Sequence, residues 1–194
     1  ARATSSGMAA VTTSLLSFLS AGDHMVGTDA VYGPSRLVVE KQFSRFAIEN
    51  SFVDTSDFSE IEKAFKSNTK VLYVETPANP TIKITDIKKC ADFAHKMNAI
   101  LIVDNTFMTP ILQNPLDLGA DVVIHSITKF INGHADVVGG VIVVKDKMFL
   151  KPIDGVLRNF GCTMDPHQSW LTLRGAKSLP LRVHYAEQNA MKLA

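Results

Sequence analysis

Cysteine is scarce in this chain: Cys90 and Cys162 stand far apart, with no C-x-x-C partner for either. That excludes a disulfide framework and predicts two reduced, structural thiols in a cytoplasmic protein. An excess of charge of one sign is also missing. Twenty Lys and Arg face 19 Asp and Glu, a net charge of +1, which leaves no footprint for nucleic acid or an anionic membrane surface. No apolar run reaches the length of a membrane span, and low-complexity tracts and repeats are absent. The six histidines show neither H-E-x-x-H nor a clustered Cys/His spacing, so no metal is expected. Neither G-x-G-x-x-G nor G-x-x-x-x-G-K-[ST] occurs, which argues against a non-catalytic nucleotide-binding α/β module.

What is present is an ordinary globular balance, 46% hydrophobic and 20% charged, in 194 residues, enough for one domain with a substantial core. Continuous apolar runs at Val71–Val74, Ile100–Val103, Val122–Ile124 and Val141–Val144 read as buried strands, with shorter ones near His24–Gly27 and Ser51–Val53. Between them lie helical patterns. Met8, Val11, Leu15, Phe18 and Leu19 fit one helix face. Ser35 to Phe46 fits another, burying Leu37, Val38, Phe43 or their neighbours. Asp57-Phe58-Ser59-Glu60 has capping-box spacing ahead of Ile61, Ala64 and Phe65. Thr85 or Asp86 caps a helix with Ile87, Cys90, Ala94 and Met97 on one face. This alternation predicts an α/β fold, with a mostly parallel central sheet flanked by helices on both faces.

In such sheets, ligands bind beyond the carboxyl ends of the strands. Three strand ends here carry polar groups: Asn79 after one, Asp104 after another, and Ser126, Thr128 and Lys129 after a third. Two hydroxyls and an amine suit a phosphate-bearing aldehyde cofactor, the hydroxyls holding the phosphate and the amine forming a Schiff base. S-x-T-K alone does not distinguish that from a surface turn with an incidental lysine. Asp104, at a low-dielectric strand edge, needs a cation or several donors, and a pyridinium nitrogen would serve. Capping of the turn at Asn105 and Thr106 is the competing reading of the same carboxylate. Ser5-Ser6-Gly7 taken alone reads as a plain helix cap, and in a cofactor site the first amides of that helix, at Gly7 and Met8, would join Ser126 and Thr128 on the phosphate. Tyr32 offers a stacking face and a phenol for proton transfer, and Asn79 could bond the ring's 3-hydroxyl.

Ser5–Ala10, Val31-Tyr32-Gly33, Glu75–Pro80, Val103–Phe107 and His125–Asp136 together resemble the pyridoxal-phosphate enzymes of cysteine and methionine metabolism, in that family's order and spacing. The family includes cystathionine γ-lyase, methionine γ-lyase, cystathionine γ-synthase and O-acetylhomoserine sulfhydrylase. The resemblance implies the fold type I, aspartate-aminotransferase-like domain and pyridoxal 5'-phosphate as cofactor. It implies catalytic roles for Lys129, Tyr32 and Asp104. The cofactor-binding set it implies is Gly7, Met8, Tyr32, Asn79, Asp104, Thr106, Ser126, Thr128 and Lys129. It further implies γ-elimination of a sulfur amino acid, with γ-replacement as the close alternative, and a homotetramer of dimers that share active sites. On the same resemblance, residues 1–194 are a cofactor-binding fragment, without the N-terminal arm and most of the C-terminal small domain, and inactive alone. Pro34 and Phe130 depart from the family's pattern. Cys162, ahead of Leu171–Gly175, either lines the pocket or is a buried structural thiol.

Overall fold

A computed structural model describes all residues from Ala1 to Ala194. Seven strands form one sheet: β1 (Arg2–Thr4), β2 (His24–Thr28), β3 (Glu49–Val53), β4 (Thr69–Glu75), β5 (Ile100–Asp104), β6 (Val122–Ser126) and β7 (Gly140–Val144). Their spatial order is β1-β7-β6-β5-β4-β2-β3. The run from β6 to β3 is parallel, whereas β7 lies antiparallel to both β6 and β1. The mostly parallel sheet expected from the sequence is therefore present, with an antiparallel margin at one edge.

Both faces of the sheet are covered, which is why its strands read as unbroken apolar runs rather than alternating ones. Val71, Tyr73, Ile102, Ile124 and Ile142 pack into one core with Leu15 of α1 (Gly7–Leu16). Leu72, Val74, Leu101, Val103 and Val123 point the other way. They meet Ile61 of α3 (Phe58–Ala64) and Ile87, Cys90 and Ala94 of α4 (Ile87–Lys96). Successive side chains thus enter opposite cores, as the strand period requires. Helix starts follow capping chemistry. Ser6 Oγ accepts the Ala9 N–H at 3.0 Å, Asp57 that of Ser59 at 2.9 Å, and Asp86 that of Lys89 at 3.0 Å.

Several expectations need correction. Phe18 and Leu19 lie beyond the end of α1, although Leu19 is buried. The Ser35–Phe46 helix is three segments: α2 (Gly33–Leu37), a π-helical turn (Val38–Gln42) and a 3₁₀ turn (Phe43–Phe46). Each change of winding rotates the buried face, so Leu37 is exposed and Val39 takes the core position beside Phe43. The capping box at α3 is half made, because Glu60 pairs with Lys63 instead of reaching back. Phe65 is the residue after α3, and Met97 at the end of α4 is exposed. β1, three residues long, is too short to show a period. The remaining helices are α5 (Thr109–Leu112), α6 (Leu150–Asn159), α7 (Pro166–Ala176) and α8 (Leu179–Leu193), with a 3₁₀ turn (Lys147–Phe149) ahead of α6. No helix is long and apolar enough to cross a membrane.

Candidate active site

From β2 the chain runs outward to the edge strand β3, then returns to β4 on the other side of β2. The connections leaving β2 and β4 therefore part at their carboxyl ends, opening the crevice where open α/β sheets bind ligands. The cleft there has a volume of about 330 Å³, at the lower end of small-molecule sites. Every site residue named from the sequence lines it. Tyr32 follows β2, Asn79 follows β4, Asp104 and Thr106 close β5, and Ser126, Thr128 and Lys129 close β6. Gly7 and Met8 come from the start of α1.

Asp104 ends β5 with Oδ1 accepting the Thr106 N–H at 3.0 Å and the Thr106 hydroxyl at 2.5 Å. Its Oδ2 lies 3.5 Å from the Tyr73 hydroxyl. The turn-capping reading is thus realised, yet it leaves one oxygen with only a long contact. No lysine or arginine pairs with the carboxylate. Burial pushes its pKa above the ordinary carboxylate value. Thr106 also links two strands, because its hydroxyl accepts the Ser126 N–H at 2.8 Å.

Helix α1 approaches β6 closely. A Cβ on Gly7 would sit 2.8 Å from both Cβ and Oγ of Ser126, so only glycine allows the approach. The first amides of α1 lack intrahelical acceptors and face the Ser126 end of the cleft, a positive helix terminus beside a hydroxyl. Thr128 differs from the free hydroxyl expected. Its Oγ1 accepts the Gly139 N–H at 3.0 Å and donates to the Gly139 carbonyl at 3.2 Å, which ties the lysine turn to β7.

Lys129 is exposed at the start of a turn that α8 braces. The Arg182 guanidinium donates to the carbonyls of Phe130 at 2.7 Å, Ile131 at 3.2 Å and Gly175 at 3.1 Å, and to the Ser178 hydroxyl at 3.0 Å. Gly133 permits this: its φ is +70°, and a Cβ there would lie 1.9 Å from Arg182 Nη1. Arg182→Ala is expected to cost about 2 kcal/mol in urea unfolding. Amide exchange should accelerate over 129–133, and exchange confined to the α8 end would show that the brace does not hold the turn.

Three features went unrecognised in the sequence. Glu75 ends β4 inside the cleft, almost wholly buried, with its carboxyl pushed up to about 7 by burial and by Asp104. Its place at the end of an apolar strand was the available signal. His125, buried beside Ser126, is pushed down to about 4, and its Nδ1 has no partner. Ser35, buried, lines the cleft from α2. Cys162 is neither a lining residue nor fully buried, whereas Cys90 is buried and its thiol is raised to about 12.

A family model described as Cys/Met metabolism PLP-dependent enzyme matches residues 1–194. The chain is 50% identical, over 98% of its length, to a cystathionine gamma-lyase of Bacillus subtilis, of which it covers 50%. It is 47% identical to the cystathionine beta-lyase MetC of the same organism, covering 98% of this chain and 48% of the relative. The crystal structure of metB from Corynebacterium glutamicum superposes with a TM-score of 0.91 at 42% identity, over 93% of this chain and 47% of that one. The chain spans about half the length of the relatives it matches.

Proposed function

Because this chain belongs to the Cys/Met metabolism PLP-dependent enzyme family, we propose that it is the cofactor-binding part of a carbon–sulfur lyase. The reaction is γ-elimination of a sulfur amino acid (methionine, cystathionine or homocysteine) to a 2-oxo acid, ammonia and a thiol. The supporting observation is the meeting of Lys129, Asp104 and Tyr32 in one cleft at the switch point of the sheet. Pyridoxal phosphate fits the donor set. Asp104 is a buried carboxylate lacking a cation, and Gly7 brings free helix amides against Ser126.

Asp104 would hold the ring nitrogen, Asn79 the ring hydroxyl, and the amides of Gly7 and Met8 with Ser126 the phosphate, which Thr128 would join by turning its hydroxyl proton away from the Gly139 carbonyl. Thr106 would orient Asp104. When bound, the cofactor supplies an electron sink for the substrate's carbon chain. Lys129 Nζ would anchor it and, once displaced, take the proton from the substrate Cα. The Tyr32 hydroxyl, on a residue 45% exposed, would deliver a proton to the departing sulfur. γ-Replacement would use the same groups, with an incoming nucleophile bonding to the γ-carbon that the thiol has left and no hydrolysis to ammonia.

The finer readings rest on family resemblance. They are a tetramer of dimers that share active sites, a cytoplasmic location, and residues 1–194 as the cofactor domain. The experiment is borohydride reduction of the full-length protein with pyridoxal phosphate, followed by peptide mass mapping. A mass increase at Lys129, absent from Lys129→Ala, is expected, with 2-oxo acid and thiol released without an added nucleophile. A folded protein with no label at Lys129 would overturn the assignment. Product formed only with an added nucleophile would make it a replacement enzyme.

A further inference from the structure

The crevice needs something to keep its two walls in register. Tyr32 hangs on the connection after β2 and Asn79 on the connection after β4, and these segments part where the strand order reverses. Outside the cleft Lys83 Nζ lies 3.6 Å from Asp29 Oδ1, and inside it Glu75 joins the two segments. Glu75 Oε2 accepts the Tyr32 N–H at 2.9 Å, and Glu75 Oε1 accepts the Asn79 N–H at 3.0 Å. Each oxygen thus holds one wall. The carboxylate is 6% exposed and stands opposite Asp104 in the β4–β5 register.

Two carboxylates buried side by side are a costly way to satisfy two amides, since burial and mutual repulsion both disfavour the charge. Satisfying the two amides alone would not require an acidic side chain inside a ligand cleft. What a carboxylate adds is two equivalent acceptors on a rigid planar fork, so one group fixes two backbone points at a set separation.

We propose that Glu75 is a positioning residue, a two-pronged clamp that sets Tyr32 relative to Asn79 across the cleft. This rests on the reading that the cleft holds pyridoxal phosphate between those residues. Glu75 touches neither substrate nor reacting atoms in this scheme, and it acts through the two backbone segments. Glutamine at 75 offers one oxygen, and its amide nitrogen would oppose the second N–H, so one wall is released. Aspartate keeps the charge and both oxygens but withdraws them by one methylene, and cannot reach both amides.

The test uses the full-length protein as wild type, E75Q and E75D, each titrated with pyridoxal phosphate. Visible circular dichroism reports the orientation of the bound ring, and thermal melting confirms folding. Both variants are expected to bind pyridoxal phosphate about 10- to 100-fold more weakly, with a changed visible dichroism band and label still reaching Lys129 after borohydride. Wild-type band and affinity in both variants would overturn the clamp. So would a defect in E75Q with wild-type behaviour in E75D, because charge rather than reach would then be the cause. If E75Q fails to fold, E75D alone decides by the same band and affinity. Absence of label at Lys129 in the wild type would instead remove the cofactor reading beneath the proposal.

Discussion

Asp104→Asn is expected to lower kcat/KM of the full-length enzyme by about 10²–10³-fold. The cofactor-free protein at pH 8 should be at least as stable as wild type. Asparagine has the same shape and keeps an oxygen for the Thr106 N–H and hydroxyl, which meet Asp104 Oδ1 at 3.0 and 2.5 Å. It loses the charge. In the cofactor-free cleft that charge is a liability, because burial raises the folded pKa and no lysine or arginine offsets it. A carboxylate with a raised folded pKa costs stability above its titration range, and the neutral amide removes that cost. Beside a cationic ring the balance reverses, since an amide cannot neutralise it and the electron sink weakens. Activity and stability therefore move in opposite directions. Urea unfolding beside steady-state kinetics checks this, and a variant less stable but fully active would make Asp104 a turn cap and nothing more.

Much of the architecture was legible because buried parallel strands leave long apolar runs, and polar residues just beyond them mark the ligand edge. Asn79, Asp104 and Lys129 were readable on that ground, and the structure gathers them into one cleft. Glu75 was not. It sits at the end of β4 as Asp104 sits at the end of β5, but its partners are backbone amides 43 and 4 residues away. Sequence shows side chains, and backbone donors of another segment leave no trace in it. The exchange of Leu37 for Val39 has a similar origin. A face read at constant winding fails where the helix passes from α to π to 3₁₀. The commitment of Thr128 to Gly139 and the brace from Arg182 onto the Lys129 turn depend likewise on chain segments meeting across the fold.

The cofactor-free chain is expected to show nearly level stability between pH 4.5 and 7, produced by two large effects of opposite sign, one in the crevice and one buried beside it. Glu75 titrates at about 7 in the fold against an ordinary 4.5, so ionising it costs stability progressively as pH rises through that window. His125 titrates at about 4 against 6.5, so the fold holds the neutral ring and loses stability as pH falls through the overlapping range. At about 1.4 kcal/mol per pH unit, each is worth about 3 kcal/mol. Asp104, raised by burial, adds to the first slope, and His24, lowered by burial and by Lys66, adds to the second. The exposed Asp54, lowered to about 2, acts only below this range. Removing either member should expose the other. E75Q is expected to gain about 2–3 kcal/mol between pH 4.5 and 7 in urea unfolding, and His125→Asn to lose as much. Three parallel profiles would refute the pairing. With pyridoxal phosphate bound, a cation beside Asp104 would favour ionised Glu75, so the fall in His125→Asn should shrink.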